Sequence, residues 1–203
     1  MQIVNPSIEI LKVDLNPLQL LETAGRTCYK SEDKITEDSA AKFIQMILDR
    51  GHETVIEHCG ATVRFICDRG VSHELVRHRI ATFSQESTRY VNYSKKGMQF
   101  IKPCFLPEDC DDFKLWERHM ADCEKQYNIA IACGWKPEEA RALLPNSLKT
   151  EVVMTCNFRE WRLFFKQRTS KFAHPQMREV AIPLLKEMQK CVPVIFDGIG
   201  ALI

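Results

Sequence analysis

The chain has 203 residues, 45% hydrophobic and 27% charged, which is the balance of an ordinary globular protein with one substantial core. Its 28 lysines and arginines are nearly matched by 27 acids, and a net charge of +1 gives no long-range field for nucleic acid or an anionic membrane. No apolar run approaches membrane-spanning length.

Nine cysteines are scattered along the chain without a CxxC pair. This pattern argues against both a disulfide framework and a zinc cluster, and it indicates reduced thiols in a cytoplasmic protein. The first residues lack the basic and apolar segments of a signal peptide. The pairs His73/His78 and His52/His58 do not have the i, i+4 spacing that places two ligands on one helical face, so no metal site is predicted.

Periodicity and capping residues predict the secondary structure. In chain order the expected elements are a strand at 7–13, helices at 17–28 and 36–50, a strand at 59–67, a short helix capped by Ser72, a strand at 98–101, helices at 111–133 and 137–144, a strand at 151–155, and helices at 157–168 and 175–191. Helices outnumber strands and the βαβ alternation is absent, so we expect an α+β fold. The length favours a single domain over 1–203.

Residues 77–90 concentrate positive charge, with Arg77, Arg79 and Arg89 beside His78. Guanidiniums this close repel one another unless an anion neutralises them, and their planar forks fit phosphate and the polar edge of a base. The run therefore either lies exposed on the surface or lines an anion site. The chain has only 8 glycines and no glycine-rich phosphate loop, so arginines would hold any phosphate.

The predicted helix at 157–168 carries Arg168 on its aromatic side. The residues of that face are Phe158, Trp161, Phe165 and Phe172. Arg168 either snorkels outward at the helix end, where a cation suits the helix dipole, or projects into a substrate pocket. Asn157 has the spacing to Glu160 of a capping box, which favours a capping role, and the helix N-terminus would also suit an anion or a carbonyl acceptor.

The sequence resembles the flavin-dependent thymidylate synthases. The residues that carry the resemblance are Arg77-His78-Arg79, then seven residues, then Ser87, continuing through Arg89 and Tyr90. Further segments match the family in order: 51–58, 139–145, Asn157-Phe158-Arg159 and Arg168.

The resemblance implies the reductive methylation of dUMP to dTMP, with methylenetetrahydrofolate as carbon donor, NADPH as reductant and FAD as hydride relay. It also implies an antiparallel sheet with flanking helices and a homotetramer with shared active sites. The near-zero net charge and the lack of a long apolar run predict no nucleic-acid or membrane partner. No cysteine nucleophile is needed.

The same resemblance implies roles for individual residues. Arg168 would be catalytic, contacting the uracil edge. The positions implied for dUMP are Glu74, Arg77, Gln85, Glu86, Ser87, Thr88, Arg89, Arg141 and Arg168. Those implied for FAD are His52, Thr54, Arg77, His78, Arg79, Gln85, Asn157 and Arg159.

Three departures from the family pattern leave alternatives open. Gln85-Glu86 stands where many members have the acid first, so the two residues could have exchanged roles. Glu74 replaces a common Gln, and Leu163 replaces a flavin-contacting Asn. One alternative is an altered pyrimidine substrate, and another is a non-catalytic nucleotide- or RNA-binding relative that has lost flavin chemistry.

Overall fold

The computed structural model describes residues 1–200, which form eight α-helices, six strands and three short 3-10 helices. In chain order the strands and α-helices are β1 (Gln2–Val4), β2 (Ser7–Val13), α1 (Pro17–Tyr29), α2 (Ser39–Asp49), β3 (Gly60–Asp68), α3 (Arg69–Leu75), β4 (Thr82–Gln85), α4 (Tyr93–Lys96), β5 (Gln99–Ile101), α5 (Asp111–Ala132), α6 (Pro137–Ala140), β6 (Lys149–Asn157), α7 (Phe158–Arg168) and α8 (Pro175–Cys191). The 3-10 helices are Glu32–Lys34, Glu53–His58 and Arg141–Leu143.

Four strands form one sheet in the order β2-β3-β6-β4, and β1 pairs in parallel with β5. Strands β3 and β6 are antiparallel. The N–H of Phe158 donates to the carbonyl of Cys59 at 2.8 Å, and the hydroxyls of Thr62 and Thr155 lie 3.0 Å apart, so one strand advances as the other returns. The predicted α+β class with an antiparallel sheet is confirmed.

The chain groups into two compact units, each built from several segments. The first unit comprises Met1–Ser7, Phe65–Arg77 and Phe83–Val153, and the second comprises Ile8–Arg64, His78–Thr82 and Met154–Ile203. A single domain over 1–203 stays a prediction.

The first unit has its own hydrophobic core, to which the buried side of α5 contributes. The buried residues of this core are Tyr93, Met98, Phe100, Met120, Tyr127, Ala130, Ala140 and Leu148. Within it the backbone N–H of Tyr93 donates to the hydroxyl of Tyr127 at 3.4 Å, which gives the buried phenol a partner.

In the second unit, the burial of aromatic side chains fixes which face of α7 is turned to the core. Phe158, Trp161, Phe164 and Phe165 are all fully buried, and each contributes about 2–3 kcal/mol of apolar burial. The indole N–H of Trp161 donates to the carbonyl of Ala61 at 3.2 Å, which ties the helix to β3. Because the helix cannot turn about its axis, the orientation of its polar side chains is fixed as well.

Phe172, predicted on the same aromatic face, lies beyond the end of α7 and is 87% exposed. That prediction is wrong because the helix ends at Arg168, and the helical spacing no longer applies four residues later.

Helix α3 differs from the sequence prediction in its start and its cap. It begins at Arg69 because the side chain of Asp68 accepts the N–H of Val71 at 2.8 Å. Ser72, the predicted cap, lies inside the helix and is fully buried. Since the helix ends at Leu75, residues 77–79 follow it in the chain.

Other helix and strand boundaries also differ from those predicted. Helix α2 starts at Ser39 rather than Thr36, because the Ser39 hydroxyl accepts the N–H of Thr36 at 2.9 Å and donates to the buried Glu22 carboxylate at 2.8 Å. The predicted helix at 137–144 divides into α6 and a 3-10 turn. Strands β1 and β4 were not predicted, since three or four residues carry too little alternation to detect.

All nine cysteines lie within the described residues, and each is a free thiol. Burial raises the pKa of Cys59 to about 11, and it raises the pKa of Cys67 and Cys156 further. No helix within residues 1–200 is long and apolar enough to cross a membrane. Within the same residues, no group of three or more His, Cys, Asp and Glu side chains is arranged to hold a metal ion.

We expect Asp68→Ala to lower the free energy of unfolding by about 1 kcal/mol, because the first turn of α3 loses its cap. Asp68→Asn keeps a side-chain oxygen acceptor and should retain most of that stability. Urea denaturation of the three proteins measures the difference. Equal losses in the Ala and Asn variants would contradict the capping role.

Candidate active site

The predicted site residues fall into two groups by unit. The first unit contains Glu74, Arg77, Gln85, Glu86, Ser87, Thr88, Arg89 and Arg141. The second contains His52, Thr54, His78, Arg79, Asn157, Arg159 and Arg168. Apart from Arg168, the residues implied for dUMP are thus in the first unit, and most of those implied for FAD are in the second.

Gln85 ends β4 and is fixed by buried hydroxyls. Its side-chain N–H groups donate to Ser72 Oγ at 2.9 Å and to Thr150 Oγ1 at 3.3 Å, and both acceptor residues are fully buried. Ser72 in turn donates to the carbonyl of Arg69 at 2.8 Å. The amide therefore links β4 to α3 and β6 within the first unit.

Glu86 carries the negative charge of the Gln85-Glu86 pair. Its carboxylate accepts from the Tyr93 hydroxyl at 3.0 Å and from Lys149 Nζ at 3.3 Å. Burial, and then the charge of Glu86, raise the pKa of Tyr93, so this phenol stays protonated as a donor. Both side chains of the Gln85-Glu86 pair are thus oriented by partners inside the unit.

A cavity of about 540 Å³ opens in the first unit beside α3 and the turn at 141–143. Its lining residues are Arg69, His73, Thr88, Glu138, Arg141, Ala142, Leu144, Pro145 and Asn146. The cavity includes Thr88 and Arg141, which lie 53 positions apart in the sequence and were both predicted from the resemblance. Two arginines and a histidine give it the chemistry of an anion site.

Arg69 is a residue of this cavity that the sequence reasoning missed. Its Nη1 atom is buried and has no hydrogen-bond partner, although a buried guanidinium nitrogen normally has one. Its backbone N–H donates to the carbonyl of Asn146 at 2.9 Å, which anchors the start of α3 against the cavity wall. The sequence signal for it was an arginine two residues after the end of a predicted strand.

Arg89 borders the cavity through its ion pair. Its Nε donates to the Glu138 carboxylate at 2.8 Å, and this bond lowers the pKa of Glu138. Ser87 Oγ accepts the N–H of Arg89 at 3.2 Å and shapes the turn. Arg77, which follows α3, is exposed.

In the second unit, Asn157 caps α7 and Arg168 ends it. The Asn157 side-chain oxygen accepts the N–H of Glu160 at 2.9 Å, so capping is confirmed. The Glu160 carboxylate turns to His78 rather than back to the cap. Arg168 is half-buried, and its Nε points inward to His78 at 3.1 Å.

His78 is buried between an acid and a guanidinium, with only 4% of its surface exposed. Its Nδ1 lies 2.8 Å from the Glu160 carboxylate, while its Nε2 accepts from Arg168. Its ring packs against that of Phe164 in an edge-type contact, with centroids 5.2 Å apart. Both ring nitrogens are therefore engaged inside the protein.

The pKa of His78 is lowered from its ordinary value of 6.5. Burial is the largest cause because it disfavours the charged ring; the Glu160 hydrogen bond opposes this, and the positive charge of Arg168 adds to it. His78 is accordingly neutral at physiological pH.

The other predicted flavin residues of this unit lie at its surface. His52, Thr54, Arg79 and Arg159 are all exposed. His52 Nδ1 lies 2.9 Å from the Tyr29 hydroxyl, and Arg159 pairs with Glu57. Leu163, which replaces a common Asn, is 43% exposed on α7 and so is not part of the buried core.

The chain is similar over most of its length to one family of enzymes. The family model described as "Thymidylate synthase complementing protein" matches residues 9–194. The flavin-dependent thymidylate synthase of Pyrococcus furiosus is 32% identical over 192 residues, covering 90% of this chain and 79% of that protein. The chain belongs to the flavin-dependent thymidylate synthase family. The flavin-dependent thymidylate synthase of Geobacter sulfurreducens is 31% identical over 200 residues, covering 95% of this chain and 86% of that protein.

Solved structures agree on the fold of this flavin-dependent thymidylate synthase family member. The UMP/dUMP methylase PolB from Streptomyces cacaoi, bound with 5-Br dUMP, has a TM-score of 0.81 at 22% identity and covers 97% of this chain and 96% of its own. ThyX from Helicobacter pylori, complexed with FAD and dUMP, has a TM-score of 0.79 at 23% identity, with 95% and 99% covered. The resemblance carried by residues 77–90 is confirmed, and the chain is an enzyme of this family.

We expect the free energy of unfolding to fall as the pH drops below 6.5, since the unfolded chain binds a proton at His78 before the folded chain does. Above 6.5 the ring is neutral in both states and contributes no pH dependence. The slope from this group reaches at most about 1.4 kcal/mol per pH unit.

Urea denaturation at about pH 7.5 and about pH 5.5 measures this change on either side of the ordinary histidine pKa. His78→Gln should show a smaller loss than the wild type, and the exposed His119→Gln should show the same loss. Equal pH dependence in all three proteins would exclude His78 as the source.

Proposed function

We propose that this chain methylates dUMP reductively to dTMP, using methylenetetrahydrofolate as carbon donor, NADPH as reductant and FAD as cofactor. The observation that carries the proposal is the family match over residues 9–194. The proposal includes a homotetramer with shared active sites and a cytoplasmic location, where nine free thiols would remain reduced.

The donor chemistry of the second unit fits FAD. His52, Thr54, Arg79 and Arg159 present exposed nitrogen and hydroxyl donors, the groups that a pyrophosphate needs. Asn157, and in the first unit Arg77 and Gln85, complete the proposed flavin set, with His78 held just inside the surface. When bound, FAD supplies the hydride transfer, while these side chains bind and orient it.

The cavity of the first unit fits the phosphate of dUMP. Arg141 and Thr88 line it, and Arg69 brings a buried nitrogen that lacks a partner in the protein. A phosphate oxygen would satisfy that nitrogen with a charge-assisted hydrogen bond. In this proposal Glu74, Glu86, Ser87 and Arg89 orient the rest of the nucleotide.

Arg168 is proposed to act on the uracil ring. C5 of uracil becomes nucleophilic when negative charge develops on the ring, and a guanidinium in a partly buried position stabilises that charge as it forms. Arg168 Nε donates to His78, and this hydrogen bond fixes the orientation of the guanidinium plane. Membership of an enzyme family favours this function over the non-catalytic nucleotide- or RNA-binding alternative.

We expect purified protein to oxidise NADPH in a dUMP-dependent way and to yield dTMP by mass spectrometry. Arg168→Ala should lower dTMP formation by about 100-fold or more, the scale for removing one donor to a developing negative charge. Bound FAD, followed by its visible absorbance, should be retained in this variant.

Lys171→Ala, an exposed cation just beyond α7, is the matched control and should keep full activity. Absence of bound or acquired FAD in the wild type would overturn the function. Loss of folding in Arg168→Ala would instead indicate a structural role for that arginine.

Arg69→Gln should raise the Kd for dUMP about 10-fold or more, as expected for the loss of a hydrogen bond to a charged group. Deoxyuridine, which lacks the phosphate, should bind equally to both proteins in calorimetry. The control is Arg118→Gln, an exposed arginine of α5 outside the cavity. A parallel loss of affinity for deoxyuridine would contradict a phosphate contact.

A further inference from the structure

Glu160 is a buried acid to which the proposed reaction gives no part. It lies in the first turn of α7 and only 5% of it is exposed. Its backbone N–H serves the Asn157 cap, so the carboxylate is not needed for capping. A buried carboxylate is costly unless it is hydrogen-bonded, and the contact from Glu160 Oε1 reaches His78 Nδ1 at 2.8 Å.

The proton on His78 can be placed from its two neighbours. An arginine Nε always carries a hydrogen and cannot accept one. Because Arg168 Nε lies 3.1 Å from His78 Nε2, that ring nitrogen must hold a lone pair. The ring proton is then on Nδ1, where it is donated to the Glu160 carboxylate.

The other protonation states of His78 break these contacts. A proton on Nε2 would face the N–H of Arg168 and leave Glu160 without a donor. A doubly protonated ring would likewise face Arg168 with a hydrogen and place two cations together. An acceptor at Nδ1 that cannot itself donate, here the Glu160 carboxylate, holds the ring in the form that receives Arg168.

We propose that Glu160 is a positioning residue that fixes the Nδ1–H tautomer of His78, so that His78 Nε2 accepts from Arg168 Nε and holds the guanidinium that is proposed to act on the pyrimidine. This inference rests on the proposed function for the role of Arg168. Glu160 acts through His78 and touches neither substrate nor cofactor.

The experiment uses the FAD-loaded protein labelled with 15N-histidine, in which long-range proton–nitrogen spectra report which ring nitrogen carries the hydrogen. In the wild type, His78 is expected as Nδ1–H with Nε2 unprotonated. In Glu160→Gln the amide can also donate, so the Nε2–H form should become populated. The kcat for dTMP formation should then fall about 10-fold or more, with FAD retained.

Two further variants separate positioning from folding. Glu160→Asp keeps the carboxylate and should recover part of both the tautomer and kcat, even if Glu160→Gln folds poorly. Glu187→Gln removes a partly exposed acid of α8 that pairs with Lys190, and it should change neither readout.

The outcomes are distinct. A wild-type His78 with its proton on Nε2 overturns the inference whatever the activity. An unchanged tautomer and kcat in Glu160→Gln also overturns it. A wild type that does not methylate dUMP counts against the proposed function, while a tautomer change in Glu160→Gln still supports the positioning of Arg168.

Discussion

Polar groups removed from water must find partners, and this constraint shapes both units of the molecule. In the second unit, the aromatic side of α7 is buried, and the polar residues Glu160 and Arg168 are turned toward His78, where each supplies what the ring nitrogens require. In the first unit, Gln85 and Glu86 are held by hydroxyls and a lysine. The side chains nearest the proposed chemistry are thus oriented by the protein before any ligand binds.

The need for hydrogen-bond partners also distinguishes buried polar groups that have a partner in the protein from one that has none. His78 and Glu86 have their hydrogen bonds inside the protein, whereas the buried Nη1 of Arg69 has none. A buried donor without an acceptor costs about 1–3 kcal/mol in a folded protein. Such a cost is typical of binding sites, where a ligand supplies the missing acceptor and recovers the energy on association.

The sequence predicted the long elements well, because α1, α5, α7 and α8 have many turns over which apolar spacing repeats. The cap of α3 was predicted at Ser72, whereas Asp68 is the cap, because both are good capping residues and the apolar pattern is compatible with either start. Family resemblance supplied the site residues, and their roles stay predictions. The partnership of Glu160 with His78 spans 82 positions, so no local pattern could reveal it.

The His78–Glu160–Arg168 arrangement also limits how this protein can diverge. A lone replacement of Glu160 by an apolar residue leaves a buried ring N–H unsatisfied, and a lone replacement of His78 leaves a carboxylate buried without its donor. Substitutions at Glu160 and His78 must therefore occur together during evolution. Among relatives, the three residues should be inherited or lost as a set, and an evolutionary intermediate lacking one of them would be short-lived.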